Sequence, residues 1–474
     1  MSNEYIRWDK LDNTANLFPV IAGDSLTNTY RISVTLKEEV RQPLLQKALD
    51  IVTPKIPGFN LRLRHGVFWY YFEENGKKAP KVTKEHNYPC RFIHSTRNNS
   101  YLFRVSYYQN RINLEVFHVL TDGMGGITFL RELVYQYLRL SHPELREKLS
   151  DSLSPETSLN RDDSFLSNYK TKSKSVYKVK KAFLIKGERL PHDAFGVMHA
   201  YLSINELKKV CKEKYKISIN EYLVAAFIYA TYRENAGRIT EEKPIRVAVP
   251  VNLRPYFESN TTKNFFAMIS AEFIPVKNEY TFAEIAEITK ESLRSQLSKE
   301  HLENIFSYNV SNEQKFMARA VPLPLKNLAI RLVYTKSALA NTTTITNIGS
   351  ITVLDDYKPY IEMFYAMLAF SKGQELKGTI ASYEDTLCYS ICSAWADTSI
   401  QRRMFKQMSS DGLNVTIETN GVFSRRNVTF ATLILKIIPT TVLSAAVFLR
   451  AMNRVLTHTL MSLKKKKPSA SYSG

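Results

Sequence analysis

His118 is followed by three residues and then by Asp122-Gly123, at a point where the local pattern of the chain changes. Before it, Ile112, Leu114 and Val116 alternate with Asn113, Glu115 and Phe117, as in a strand. After it, Ile127, Leu130, Leu133, Val134, Tyr137 and Leu138 recur at helical spacing until Pro143. The motif therefore sits on a strand-loop-helix junction. An imidazole with an ordinary pKa of about 6.5 takes up a proton near neutrality, so a histidine aimed beyond the end of a sheet suits general-base removal of a hydroxyl or amine proton. Asp122 is placed to cap the helix or to pair with an arginine, and in either case it shapes the turn that aims His118. Gly123 suits a positive-φ turn position, and Gly123, Gly125 and Gly126 leave room for a close backbone approach. The same residues also fit a blander reading, a strand end and a helix cap with no chemistry.

The elements around the motif can be read by period. Val40, Leu44, Leu45, Ala48 and Val52 form a helical stripe over 37–53, which the Pro-Lys-Ile-Pro-Gly run breaks. Residues 60–75 read as two strands around His65-Gly66, and 101–117 as a hairpin turning at Gln109-Asn110-Arg111. Ser/Asp/Lys-rich residues from about 150 to 175 lack periodicity and mark a linker. Beyond it, two helices are expected, one opened by a Ser203-x-x-Glu206 capping box and one beginning near Ser218. Strands are expected at 245–253, running into Arg254-Pro255, and at 342–351, stopping at Asn347 and Gly349. A hairpin is expected around Glu384-Asp385. The reading is mixed α/β in two similar halves: 1–170 carrying the His motif, a basic crossover 171–195, a second lobe 196–427, and an apolar, basic tail 428–474.

Charge and cysteine usage narrow the classes. Sixty-five Lys and Arg against 45 Asp and Glu give +20 over 474 residues, which draws polyanions without naming one. Seven lysines fall in 170–186 and four in Lys464–Lys467. No recognition-helix, zinc-finger or RNP-like signature accompanies them, so nucleic acid is not an expected partner. Cys90, Cys211, Cys388 and Cys392 are too few for a disulfide framework. Cys388 and Cys392 lack clustered metal-ligating neighbours, so buried free thiols in a reducing, cytoplasmic compartment are expected and no metal is. No apolar signal segment opens the sequence. In the tail the longest uncharged run, Ile437–Leu449, is 13 residues, shorter than the roughly 20 needed to span a bilayer. A packed helix is expected there, with peripheral contact at the inner face of the membrane through 428–467 as the alternative.

The stretch from Phe117 to Gly126 resembles the His-x-x-x-Asp-Gly motif of the coenzyme A-dependent acyltransferase superfamily. That group includes chloramphenicol acetyltransferase, plant BAHD acyltransferases, nonribosomal peptide condensation domains and alcohol acetyltransferases; the alcohol acetyltransferase-like branch is the nearest in pattern. Residues 60–75, 249–266 and 343–351 resemble further segments of the group in the same order, so the likeness spreads over about residues 15–425. It implies a two-lobed chloramphenicol acetyltransferase-like fold, each lobe a mixed sheet packed with helices, with a tunnel between the lobes. It also implies His118 as general base on a small alcohol or amine acceptor and acyl-CoA as co-substrate, with no bound cofactor. By motif position Asn347 becomes the expected oxyanion donor and Arg254 the partner of Asp122. Two departures matter. Phe117 stands where condensation domains carry a first histidine, which argues against peptide condensation, and the Asp-Phe-Gly-Trp-Gly motif of plant BAHD enzymes has no counterpart. An acyl carrier protein as donor, and a catalytically inactive membrane-associated scaffold, are the competing expectations.

Overall fold

The computed structural model describes residues 8–148, 152–170, 180–191, 194–314 and 320–423. Strands are numbered along the chain. A small antiparallel sheet, ordered β1-β4-β3, is made by β1 (Trp8–Lys10), β3 (Leu61–His65) and β4 (Tyr70–Glu74). A five-stranded sheet comprises β2 (Thr29–Leu36), β5 (Thr83–Lys84), β6 (Phe103–Tyr108), β7 (Arg111–Phe117) and β12 (Ile361–Leu368), in the order β12-β2-β7-β6-β5. A seven-stranded sheet comprises β8 (Gly196–Ser203), β9 (Ile245–Asn252), β10 (Phe266–Phe273), β11 (Thr343–Ser350), β13 (Leu376–Tyr383), β14 (Thr386–Ser393) and β15 (Thr416–Thr419). Its order is β10-β9-β11-β13-β14-β8-β15. Both large sheets are mixed, with β5–β6 in one and β9–β11–β13 in the other running parallel.

Two hydrophobic cores follow from these sheets. The first lies under helices α2 (Gln42–Val52) and α3 (Gly123–Ser141), which pack on each other and on the face of the five-stranded sheet bearing Ile32, Val34, Ile112 and Leu114. The second lies between the seven-stranded sheet and helices α4 (Ile219–Glu234), α5 (Phe282–Arg294) and α7 (Ser399–Ser410); α6 (Leu323–Ser337) lies outside it. β12 and the segment leading to it belong to the first core although they lie within 196–427, so the second half of the chain completes the first sheet.

The alternation in β7 has an unexpected partner. Asn113 and Glu115 point away from α3, yet both are buried, because that face is turned inward as well. Cross-strand register sets Arg31 and Arg104 opposite Glu115. Glu115 pairs with both arginines, and Glu85 pairs with Arg31 and Arg111. Burial disfavours the Glu115 carboxylate, but the two guanidinium groups hold it below the ordinary range. Ser203 caps its helix by accepting the Glu206 N–H, while full reciprocal capping boxes stand at Ser218 and Glu221 on α4 and at Thr281 and Glu284 on α5. All four cysteines are buried free thiols.

Candidate active site

His118 is the first residue beyond β7, and its backbone N–H donates to the Asn28 carbonyl at 2.9 Å. Its ring stacks on Phe18 of α1 (Phe18–Ile21) at 4.6 Å between centroids, meets Tyr30 edge-on at 5.1 Å and lies 5.9 Å from Phe266. Walls from both sheets therefore enclose it while part of its surface stays open. Nδ1 lies 3.1 Å from Oδ1 of Asn264. The Asn264 amide nitrogen donates to Oδ2 of Asp12 at 2.9 Å, which orients the amide with its oxygen toward His118. Nδ1 then carries the proton, and Nε2 presents its lone pair. Burial holds the imidazole below its ordinary 6.5, the Lys377 ammonium adds to that, and the ring's own backbone carbonyl, Asp122 and Asn264 act the other way. The ring is thus neutral, and able to accept a proton, at pH 7.

Asp12 and Asn264 were not singled out in the sequence. Asp12 opens a short turn, where Oδ1 accepts from the Ala15 N–H at 2.7 Å and Oδ2 accepts from both the backbone and side chain of Asn264. Burial pushes its carboxyl up to about 7 despite these donors. Nothing local marks either residue, because the contact spans 252 positions.

Asp122 caps α3, with Oδ1 accepting from the N–H groups of Met124 at 3.1 Å and Gly125 at 3.3 Å. Arg254 forks onto it, Nη1 to Oδ2 at 2.9 Å and Nη2 to Oδ1 at 3.1 Å, and the Phe265 N–H donates to Oδ2 at 3.0 Å. The same guanidinium donates to the carbonyls of Thr261 and Lys263, at 2.9 and 2.8 Å. Arg254 and Asp122 thereby join the β9–β10 connection of the second lobe to the His118 loop of the first. Thr121 adds a hydroxyl bond to the Thr262 carbonyl at 2.6 Å, and Tyr30 donates to the Asp122 carbonyl at 2.7 Å.

The glycines divide differently from expectation. Gly123 is the first residue of α3 and is not among the positive-φ positions; a Cβ there would meet only Ile348, at 3.9 Å. A Cβ on Gly125 would come within 1.9 Å of the Thr121 hydroxyl and 2.7 Å of the Thr262 carbonyl, and one on Gly126 within 2.7 Å of the Tyr30 hydroxyl. Close approach thus rests on Gly125 and Gly126. Gly123→Ala is expected to shift the melting temperature by no more than a few degrees. Gly125→Ala, which drives a methyl into backbone, is expected to cost on the order of 1–3 kcal/mol in thermal or denaturant unfolding.

Asn347 lies at a break in the β11–β13 register, is exposed, and accepts the Gly349 N–H at Oδ1 over 2.8 Å, with Gly349 at φ +86°. Its amide oxygen thus shapes the bulge. The next residue, Ile348, is the neighbour that a Gly123 side chain would meet, which sets this bulge beside the start of α3. Lys377 on β13 has no carboxylate ion pair among the described residues, and burial brings its ammonium down to about 8. A cleft of about 470 Å³ is lined by Val20 and Ile21 of α1, by Arg331 and Tyr334 of α6, and by Phe370 and Lys372. Phe18, on the same α1, is the residue that stacks on the His118 imidazole.

No family model and no curated protein sequence matches the chain. Solved structures do. Polyketide synthase associated protein 5 from Mycobacterium tuberculosis superposes with a TM-score of 0.57 at 13% identity, covering 85% of this chain and 96% of that one. TRI101 of F. sporotrichioides, solved with coenzyme A and T-2, gives 0.57 at 12% identity over 87% and 99%. The first condensation domain of the CDA synthetase gives 0.57 at 12% identity over 86% and 97%. The chain has their fold. The chloramphenicol acetyltransferase-like architecture expected from the His118 motif and its companion segments is the one observed, two mixed sheets packed with helices. The stretch 428–467, and residues 171–179 and 192–193 of the basic crossover, lie outside the described residues. Among the described residues no helix is long and apolar enough to cross a membrane.

Proposed function

We propose that the protein is an acyltransferase that moves an acyl group from acyl-CoA to a small alcohol or amine, with His118 as general base. The observation that carries this reading is the placing of His118: Nδ1 tied to Asn264, Nε2 without a partner among the described residues, and the ring set where residues of the two sheets meet, with burial lowering its pKa. The acceptor gives its proton to Nε2 as its oxygen or nitrogen attacks the thioester carbonyl. A tetrahedral oxyanion forms, the C–S bond breaks, and the leaving thiolate takes the proton back from Nε2. Asp122 and Arg254 do not enter these steps; they hold the loop that aims the ring. We assign oxyanion donation to the Asn347 side-chain nitrogen, since its oxygen is committed to Gly349 and its bulge lies beside Gly123. Asn347→Ala is therefore expected to lower kcat by about 10²-fold, as loss of one such donor does elsewhere, with little change in melting temperature.

Coenzyme A in the solved TRI101 structure supports a CoA thioester as donor here, and the +20 charge suits its phosphates. Phe117, in place of the first histidine of condensation domains, argues against peptide condensation. Four buried free thiols suit a reducing, cytoplasmic compartment. Incubation with acetyl-, hexanoyl- and palmitoyl-CoA against panels of alcohols and amines should give acceptor-dependent thiol release. Release only from an acylated carrier protein would move the donor to that class. Silence with both donors, and no CoA binding, would leave the fold as a scaffold.

The pH profile carries a sign. Burial lowers the His118 pKa, so the acid limb of kcat/KM is expected below pH 6.5. Lys377→Met removes a positive charge that pushes the ring down, so the limb should move to higher pH; a limb that stays put or falls would contradict the electrostatic account.

A further inference from the structure

Helix α6 turns large aliphatic side chains outward, which a core element would bury. Leu325, Leu328 and Leu332 fall at i, i+3 and i+7, and they are 62, 58 and 60% exposed, with Val333 beside them at 68%. The stripe runs into the tip of the β3–β4 hairpin, where Val67, Phe68 and Trp69 are 69, 37 and 55% exposed. The join is hydrogen-bonded: the Leu323 N–H donates to the Val67 carbonyl at 2.8 Å, and the Lys326 ammonium donates to the Phe68 carbonyl at 2.8 Å. Scattered apolar residues on a surface need no explanation, but a continuous patch of four aliphatic and three further large apolar side chains does.

Charge decides what covers it. Lys326 and the exposed Arg331 flank the stripe on α6 itself. On the small sheet, strand parity puts Trp69 on one face with Arg62, Arg64, Lys10 and Trp8, where Trp8 is 63% exposed and Glu73 is the acidic member, shared by the two arginines. Pairing of two copies through this patch would gather the Lys326 and Arg331 cations of both copies at one contact, which opposes self-association. Tryptophan and phenylalanine at a loop tip, an outward leucine stripe and a basic rim are instead the components that enter the headgroup region of an anionic bilayer.

We propose that α6 and the 66–69 tip form a docking surface for an anionic phospholipid bilayer. Vesicle partitioning and thiol release are read separately, so failure of this proposal would leave the acyl-transfer reading untouched.

The test uses the full chain with vesicles of phosphatidylcholine alone and of phosphatidylcholine mixed with phosphatidylglycerol. Wild type should sediment with the mixed vesicles and less so as salt is added. Leu328→Glu combined with Leu332→Glu, both at exposed positions, should keep the melting temperature and thiol release and lose at least about tenfold in partitioning. In a chain carrying Trp8→Phe and Trp395→Phe, the remaining Trp69 emission should be quenched by brominated acyl chains in mixed vesicles. Unchanged partitioning of the double glutamate variant, or unquenched Trp69, would overturn the proposal. So would a wild-type dimer that the double variant converts to monomer without any vesicle binding.

Discussion

His118→Ala is expected to abolish acceptor-dependent turnover, by about 10²–10⁴-fold, while the protein stays folded. The size follows from the role: deprotonation of the acceptor has no other neutral base placed at this junction among the described residues. The stability cost is modest because His118 ends a strand, and its backbone N–H bond to Asn28 survives the substitution. His118→Gln keeps much of the volume and should melt like wild type yet be equally slow. Early melting of both variants would make His118 a packing residue wedged between Phe18 and Tyr30. Full activity in either would end the general-base assignment.

Arg254→Ala should do the reverse, with a loss of about 3–5 kcal/mol in stability. Asp122 has a side chain only 9% exposed, and without the guanidinium its carboxylate keeps three backbone donors but no countercharge. The carbonyls of Thr261 and Lys263 lose their donors in the same step. Arg254→Lys restores charge without the fork and is expected to fall between. Denaturant unfolding of the three proteins orders them. If Arg254→Ala unfolds with wild type, the ion pair joins nothing that matters to stability. Activity should fall too, but as a consequence of a misplaced loop, so KM and kcat are expected to change together.

What could be read without coordinates was local. Alternation into His118 and helical spacing after it placed the motif on a strand-loop-helix junction, and β7 and α3 meet there. The turns at Gln109 and Glu384 were legible as breaks between alternating runs, and both residues sit at positive φ there, at +51° and +49°. Period says nothing of what a strand pairs with. β12 joins the first sheet across more than 300 residues of chain, so the boundary at 196 could not mark which core it serves. Burial of Glu115 was equally hidden, since an alternating polar face reads as wet until Arg31 and Arg104 are seen across it. The Asp12–Asn264–His118 chain needs three distant segments at once. Gly123 was credited with conformational freedom that the helix start does not require, because a glycine's neighbours are invisible in one dimension. The outward leucine stripe of α6 carries the same spacing as an inward one, and only exposure tells them apart.

Direct transfer is the central claim, and one quenched-flow measurement separates it from the alternatives. Mix the protein with acyl-CoA labelled in the acyl group, with and without the acceptor identified by thiol release, and follow label on protein and on acceptor. The four thiols are buried and pushed up in pKa, so none is suited to carry an acyl group. The account predicts label moving to the acceptor in one phase, equal to the thiol released, none on the protein at any time, and no such phase in His118→Ala. Label accumulating on the protein before the acceptor, or transfer at wild-type rate in His118→Ala, would contradict it.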